Sequence, residues 1–174
     1  MGEWKSVMGK MAEVSGSHRR IDMVNPVNGF WHDKPVLVTG GSGFLGRNLI
    51  NRLRALGARI SNLDTAHGLD FPLVERFYLA DVADYRAVER AIVETKPESV
   101  FHLAAVTQVV DAKQMPFQTY KTNVMGTVVI LEAMHRLGYR SVPVIVASSD
   151  KAYGDIAYEE SVNVETPLNP IHPY

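Results

Sequence analysis

Ser149, Asp150 and Lys151 stand consecutively behind Ser148 and an apolar run. Such a hydroxyl can hydrogen-bond a reacting alcohol or ketone, and the neighbouring carboxyl can give or take a proton. The same residues would also suit a polar strand-to-loop exit, so alone they decide nothing. A second stretch is more specific. In Thr39-Gly-Gly-Ser-Gly-Phe-Leu-Gly46 three glycines are spaced three apart between a β-branched run and an amphipathic one. Gly40 would let the chain turn sharply off a strand, Gly43 would let backbone approach a diphosphate, and Gly46 would let a helix pack close. With Phe44 and Leu45 they open a helix whose free N–H groups and partial positive charge suit phosphates. An acidic residue, Asp64, follows eighteen positions after Gly46, as a dinucleotide site requires. An ordinary α/β loop is the competing reading.

Other polar positions fall at the ends of expected strands. Asp64 can accept hydrogen bonds from ribose hydroxyls and would repel a 2′-phosphate. Thr65, Ala66 and His67 supply no arginine to hold one, so NAD is favoured over NADP. The alternative is a surface turn. Asp81 and Val82 offer a carboxylate and a backbone N–H to an adenine edge, unless Asp81 caps the next helix. Leu103, Ala104 and Ala105 are small enough for the chain to run beside the cofactor's ribose and diphosphate. His102 sits in an apolar strand and reads as a core histidine before a catalyst. Asn123 lies among apolar neighbours, where it is expected to bridge to the rim as a cofactor contact, as Ser148 is after the last strand, unless it is an ordinary helix residue.

These residues need a scaffold, and the chain alternates regularly from residue 34 onward. Strands are expected at 36–39, 59–63, 76–79, 99–103 and 142–147. The first helix carries Leu45, Leu49, Ile50, Leu53 and Leu56 on one stripe and stops at Gly57. Asp84 caps a helix that turns Val88, Ala91 and Ile92 inward. Phe117, Tyr120, Val124, Val128, Leu131 and Met134 mark a long helix over 116–137. Strands alternating with helices imply an α/β fold: a Rossmann-type, doubly wound parallel sheet, with its ligand site outside the carboxyl ends of the strands. Residues 1–30 lack periodicity and read as a poorly ordered extension, leaving 31–174 as the nucleotide-binding domain.

The 174 residues suffice for one domain with a real core, and the net charge of −1 offers no basic block for nucleic acid or a membrane surface. No cysteine is present, which excludes thiolate catalysis and zinc–thiolate sites, and the six histidines lack metal-ligand spacing. No metal is expected. Without a membrane-length apolar run or a signal-peptide core, a cytoplasmic protein is the expectation.

Together these motifs resemble the extended short-chain dehydrogenase/reductase family, and within it the nucleotide-sugar epimerases and dehydratases. The residues carrying the resemblance are Thr39–Gly46, Asp64, Asp81-Val82, His102–Ala105, Asn123–Thr127, Ser148–Gly154 and His172–Tyr174. It implies that Tyr174 matches the tyrosine of a Tyr-x-x-x-Lys pair and, as phenolate, accepts the proton of a sugar C4 hydroxyl. Hydride then passes to NAD while Ser149 holds the developing carbonyl oxygen. Dehydratases continue by losing water across C5 and C6. Asp150 takes the place of the acid for that hydroxyl, and Lys151, where most dehydratases carry Glu, resembles the CDP-glucose 4,6-dehydratase subgroup. The glycine loop and Gly154-Asp155 instead follow the general epimerase pattern.

The sequence stops at Tyr174, before the lysine of that pair, the later strands and the smaller substrate domain. It is therefore expected to be the cofactor-binding half of a nucleotide-sugar 4,6-dehydratase, inactive alone, whose partner in the whole enzyme is a nucleotide-diphosphate sugar. A 4-epimerase is the alternative within the class, and a non-catalytic NAD-binding scaffold the alternative outside it. A nucleic-acid-binding relative would have only Arg19-Arg20 behind it. The family often dimerises through sheet-face helices, which makes 116–137 a candidate contact for a homodimer. Val142, Val144, Ile145 and Val146 would form an apolar sheet edge.

Overall fold

The first strand, β1 (Pro35–Thr39), is an apolar run in which Val36, Leu37 and Val38 have no solvent exposure. That is the mark of a central parallel strand covered on both faces. The computed structural model describes residues 29–66, 74–155 and 161–174. The extension expected at 1–30, apart from its last two residues, lies outside the described residues, as do His67 and most of the 65–75 loop. The other strands are β2 (Arg59–Asp64), β3 (Arg76–Leu79), β4 (Ser99–His102) and β5 (Val144–Val146). They pair in parallel in the order β3-β2-β1-β4-β5. The expected Rossmann-type sheet is therefore present.

Side chains alternate across this sheet and divide the core in two. Val36 and Val38 join Ile60 and the helix α1 (Phe44–Ala55) through Ile50 and Leu53. Leu37 turns the other way, to α2 (Tyr85–Thr95) and the later helices. The cap expected at Asp84 is observed: its carboxylate accepts the Arg86 and Ala87 N–H groups at 3.0 and 3.3 Å. Val88, Ala91 and Ile92 are fully buried, and Lys96 ends the helix in the left-handed region at φ +49°. Leu45 departs from its expected inward stripe and is more than half exposed at the rim.

After β4 come a short helix, α3 (Val109–Gln114), that no periodicity had marked, and then α4 (Pro116–Tyr120). One wide π-type turn, Lys121–Met125, joins it to α5 (Gly126–Arg136). The long helix expected at 116–137 is present, but most of its marker residues face outward. Phe117, Tyr120, Val124, Val128 and Leu131 are exposed, whereas Val129, Ile130, Ala133 and Met134 are buried. The reason lies in Val128-Val-Ile-Leu131: four consecutive apolar residues put hydrophobic side chains on both faces, and spacing alone cannot choose between them. β5 is shorter than expected and pairs on one side only, with β4. Ile145 and Val146 are accordingly part-exposed.

Candidate functional site

Strand order reverses between β1 and β4, and the loops leaving these two strands part there, which is where ligands lodge in an open parallel sheet. A groove of about 600 Å³ opens at that place, along the carboxyl ends of the strands. It brings together Gly40, Gly43, Phe44, Leu45, Gly46, Asp64, Asp81, Val82, Leu103, Ala104, Ala105, Ser148 and Tyr174.

The glycine loop shows why those positions lack side chains. Gly40 has φ +73°, and a Cβ there would lie 2.6 Å from the Ala104 nitrogen. At Gly46 a Cβ would run into the Gly40 carbonyl oxygen and the Gly41 backbone, so this glycine serves the packing of the turn itself. A Cβ at Gly43 would meet only the Gly40 oxygen, at 3.3 Å, on the side of the groove. Within the loop the Gly41 N–H donates to Asn62 Oδ1 and the Ser42 N–H to Asp64 Oδ2, both at 2.9 Å. The Gly43 N–H donates to the Gly40 carbonyl at 3.2 Å. The next three N–H groups, of Phe44, Leu45 and Gly46, open α1 and have no partner among the described residues. Three free donors at a positive helix end, beside the gap at Gly43, fit a diphosphate.

Asp64 does more than line the groove. One carboxylate oxygen holds Ser42 and the other accepts the Ala66 N–H at 3.3 Å. Asp81 does not cap α2, since Asp84 does. Its carboxylate accepts the Ala83 N–H at 2.9 Å and pairs with Lys121 Nζ at 2.8 Å. Burial opposes its ionisation, but the Lys121 hydrogen bond, that of Ala83 and the Lys121 charge outweigh it and hold the carboxyl below the usual range. Val82 is buried against Gly126.

A second cavity of about 470 Å³ adjoins the groove and shares Leu103, Ala104, Ala105, Ala147, Ser148 and Tyr174 with it. Ser149, Lys151, Asn123 and His172 are part of its wall. Ser149 Oγ accepts the Lys151 N–H at 3.1 Å, which caps the single turn Asp150–Tyr153, and donates to Asp150 Oδ1 at 3.3 Å. The Asp150 side chain is 78 % exposed and lies outside both cavities. The structure thus gathers Ser149, Lys151 and Tyr174 on the cavity, while Asp150 keeps contact with Ser149 and with Lys151 Nζ at 3.9 Å but turns its carboxylate to solvent.

Asn123, expected as a cofactor contact, uses both ends of its amide on Val106. Oδ1 accepts the Val106 N–H at 2.8 Å, and Nδ2 donates to the Val106 carbonyl at 3.2 Å. It therefore fixes the loop after β4. His102 is buried between Thr39 and Thr127, and desolvation pushes its imidazole down to about 4. Burial thus favours the neutral ring at ordinary pH, which suits a core residue and not a general acid. The sequence reading missed Asn62 and Lys121, and it named Thr39 and Thr127 as motif residues without giving their hydroxyls a role. A signal for Asn62 existed: in Ile60-Ser-Asn-Leu63 two polar residues sit between apolar ones in a strand expected to be covered on both faces, and a buried amide must find a partner. Among the described residues no His, Cys, Asp or Glu cluster could hold a metal ion, and no helix is long and apolar enough to cross a membrane.

A family model described as the NAD dependent epimerase/dehydratase family matches residues 36–174. A CDP-glucose 4,6-dehydratase of Salmonella typhimurium is 33% identical over 157 residues, covering 83% of this chain and 42% of the relative. A UDP-glucose 4-epimerase of Lactobacillus helveticus is 32% identical over 142 residues, covering 80% and 42%. Among solved structures, the UDP-glucose 4-epimerase of Thermus thermophilus in complex with NAD matches at TM-score 0.70 and 32% identity, over 80% of this chain and 45% of that one. The chain spans less than half the length of the relatives it matches.

Proposed function

This chain belongs to the NAD-dependent epimerase/dehydratase family, and from that premise we propose that it is the NAD-binding half of a nucleotide-sugar 4,6-dehydratase. The observation that carries the cofactor reading is the set of three free N–H groups at Phe44, Leu45 and Gly46, beside the unfilled space at Gly43. They receive the diphosphate. Asp64 takes the adenosine ribose, and Asp81 with Val82 takes the adenine side of the groove. When bound, NAD supplies the hydride acceptor.

On the other side, Tyr174 removes the proton of the sugar C4 hydroxyl and Ser149 holds the oxygen as it becomes a carbonyl. The order Asp150-Lys151 favours dehydration, with Asp150 as the acid for the departing hydroxyl. The exposed position of the Asp150 carboxyl favours a second reading, a 4-epimerase, which needs no acid there. The exposed stripe Phe117, Tyr120, Val124, Val128 and Leu131 supports a homodimer contact through this face.

Calorimetric titration of the chain with NAD and NADP tests the cofactor reading. NADP is expected to bind at least about tenfold more weakly, because Asp64 repels a 2′-phosphate. A folded chain that ignores NAD, or prefers NADP, would refute it. Incubation with CDP-glucose and UDP-glucose tests the rest. The 174 residues alone are expected to turn over neither, since none of the residues assigned here holds the sugar's diphosphate. A 4-keto-6-deoxy product would overturn the inactivity and affirm the dehydratase, and a C4 epimer would establish the second reading.

A further inference from the structure

The buried hydrogen bonds around His102 have one consistent order. Thr127 Oγ1 lies 3.1 Å from the Asn123 carbonyl, which can only accept, so the Thr127 proton goes there. His102 Nε2, 3.1 Å from the same Oγ1, must then carry a proton and donate it. In a neutral ring this leaves Nδ1 bare, and Nδ1 takes the Thr39 hydroxyl proton across 2.7 Å. The Thr39 oxygen in turn accepts the Ala104 N–H at 3.3 Å. The chain runs from Ala104 through Thr39, His102 and Thr127 to Asn123. Burial favours the neutral imidazole this order needs.

The residues at the two ends of this chain hold one segment, although the chain itself stops at the Asn123 backbone carbonyl and the clamp is made by the Asn123 side chain. Thr39 fixes the Ala104 N–H, while the Asn123 amide clamps both backbone groups of Val106. Residues 103–105 line both cavities, and Val106 lines the groove. We propose that His102, as the neutral Nε2–H tautomer, is a positioning residue that locks the Leu103–Val106 wall between the nucleotide groove and the Ser149–Tyr174 cavity. Its ring also borders the Ser149–Tyr174 cavity, but the role assigned to it is to hold the wall and not to react. Protonating Nδ1 would displace the Thr39 proton, for which the chain offers no other acceptor. The ligand in this inference rests on the cofactor reading above, but the geometry does not.

The test uses the whole chain and three readouts. Long-range ¹H–¹⁵N spectra of histidine-labelled protein are expected to show His102 as Nε2–H, and an Nδ1–H tautomer would overturn the proposal. In His102→Leu, amide exchange at Ala104 and Val106 is expected to accelerate. Leu103 N–H, bonded to the Thr39 backbone carbonyl at 3.0 Å, is expected to stay protected. Acceleration at none, at Ala104 alone, or equally at all three would refute a wall held as a unit. NAD affinity of that variant is expected to fall about tenfold, with AMP, which needs only the Asp64–Val82 side, within about twofold. Equal loss of both would mean a merely structural role. Should His102→Leu not fold, Thr127→Val breaks the same chain from its other end, and His102→Gln, with one donor and one acceptor, is expected to restore protection. If the parent binds no NAD, the cofactor reading falls while tautomer and exchange still decide the wall.

Discussion

Alanine substitution at three glycines separates backbone geometry from ligand space. Gly138 has φ +82° and nothing within 4 Å of the Cβ it would carry. Gly138→Ala therefore adds left-handed strain alone, about 1 kcal/mol, and leaves NAD binding untouched. Gly40 adds crowding to the same strain, because its Cβ would stand 2.6 to 2.8 Å from Leu103 and Ala104 backbone atoms. Backbone cannot rotate aside, so Gly40→Ala is expected to lose about 2–4 kcal/mol, strain and overpacking together. Gly43 differs in kind. At φ −73° and ψ 173° it has an extended conformation open to any residue, and its Cβ would meet one carbonyl oxygen at 3.3 Å. Reduced unfolded-chain entropy offsets that contact, so Gly43→Ala should stay within about 0.5 kcal/mol of the parent. Its methyl nevertheless fills the space beside the three free N–H groups, and NAD affinity should fall at least about tenfold, or 1.4 kcal/mol. Urea unfolding by circular dichroism gives the stabilities and calorimetry the affinities. The reasoning fails if Gly43→Ala is as unstable as Gly40→Ala, or binds NAD as tightly as the parent.

Acid should weaken the fold through His102. Its folded value of about 4 lies below the ordinary 6.5, so its contribution is complete above pH 6.5 and drains away as pH falls toward 4. The slope is at most about 1.4 kcal/mol per pH unit and the total roughly 3 kcal/mol. Urea midpoints between pH 7 and 4 should show this slope in the parent and not in His102→Gln. Asp81, whose carboxyl is held low, loses its contribution only at still lower pH. Asp84→Ala removes the acceptor for two N–H groups of α2 and should cost about 1 kcal/mol by the same assay; no change would contradict the cap. Val128→Lys with Leu131→Lys, both on the exposed stripe, should convert a dimer to a monomer in sedimentation with an unchanged circular dichroism spectrum. A parent already monomeric at micromolar concentration would remove the homodimer reading.

What was legible in the sequence is what short-range stereochemistry controls. Gly40 must be glycine because of its own φ, and Asp84 caps residues two and three positions ahead. What was not legible depends on partners far along the chain. Thr39 and His102 are 63 residues apart, and His102 and Thr127 are 25 apart, so no spacing rule links them. Asp150 illustrates another limit. Ser149, Asp150 and Lys151 stay in contact, through the Ser149–Asp150 hydrogen bond at 3.3 Å and the Lys151–Asp150 ion pair at 3.9 Å. Adjacent residues in a tight turn nevertheless face different directions, so Ser149 and Lys151 line the cavity while the Asp150 carboxylate is exposed. The α5 stripe was misplaced for the opposite reason, since apolar residues on both faces satisfy the periodicity twice.

The glycine loop and the His102 chain meet at one atom. The Ala104 nitrogen lies 2.6 Å from where a Gly40 Cβ would stand, and it donates its hydrogen bond to the Thr39 hydroxyl oxygen. The approach that forbids a side chain at residue 40 thus creates the donor that residue 39 must satisfy, which explains why a buried strand of valines and leucine ends in threonine. Thr39→Val keeps the shape and the β-branch but removes the hydroxyl. It leaves the Ala104 N–H and His102 Nδ1 without their partner, at about 1–3 kcal/mol for each buried group left unsatisfied. Thr39→Ser loses a methyl and keeps the chain, so it should be the more stable of the two, with the Nε2–H tautomer intact. If urea unfolding instead ranks the valine variant level with or above serine, the hydroxyl is not what holds the wall, and packing at the β1 end is sufficient to do so.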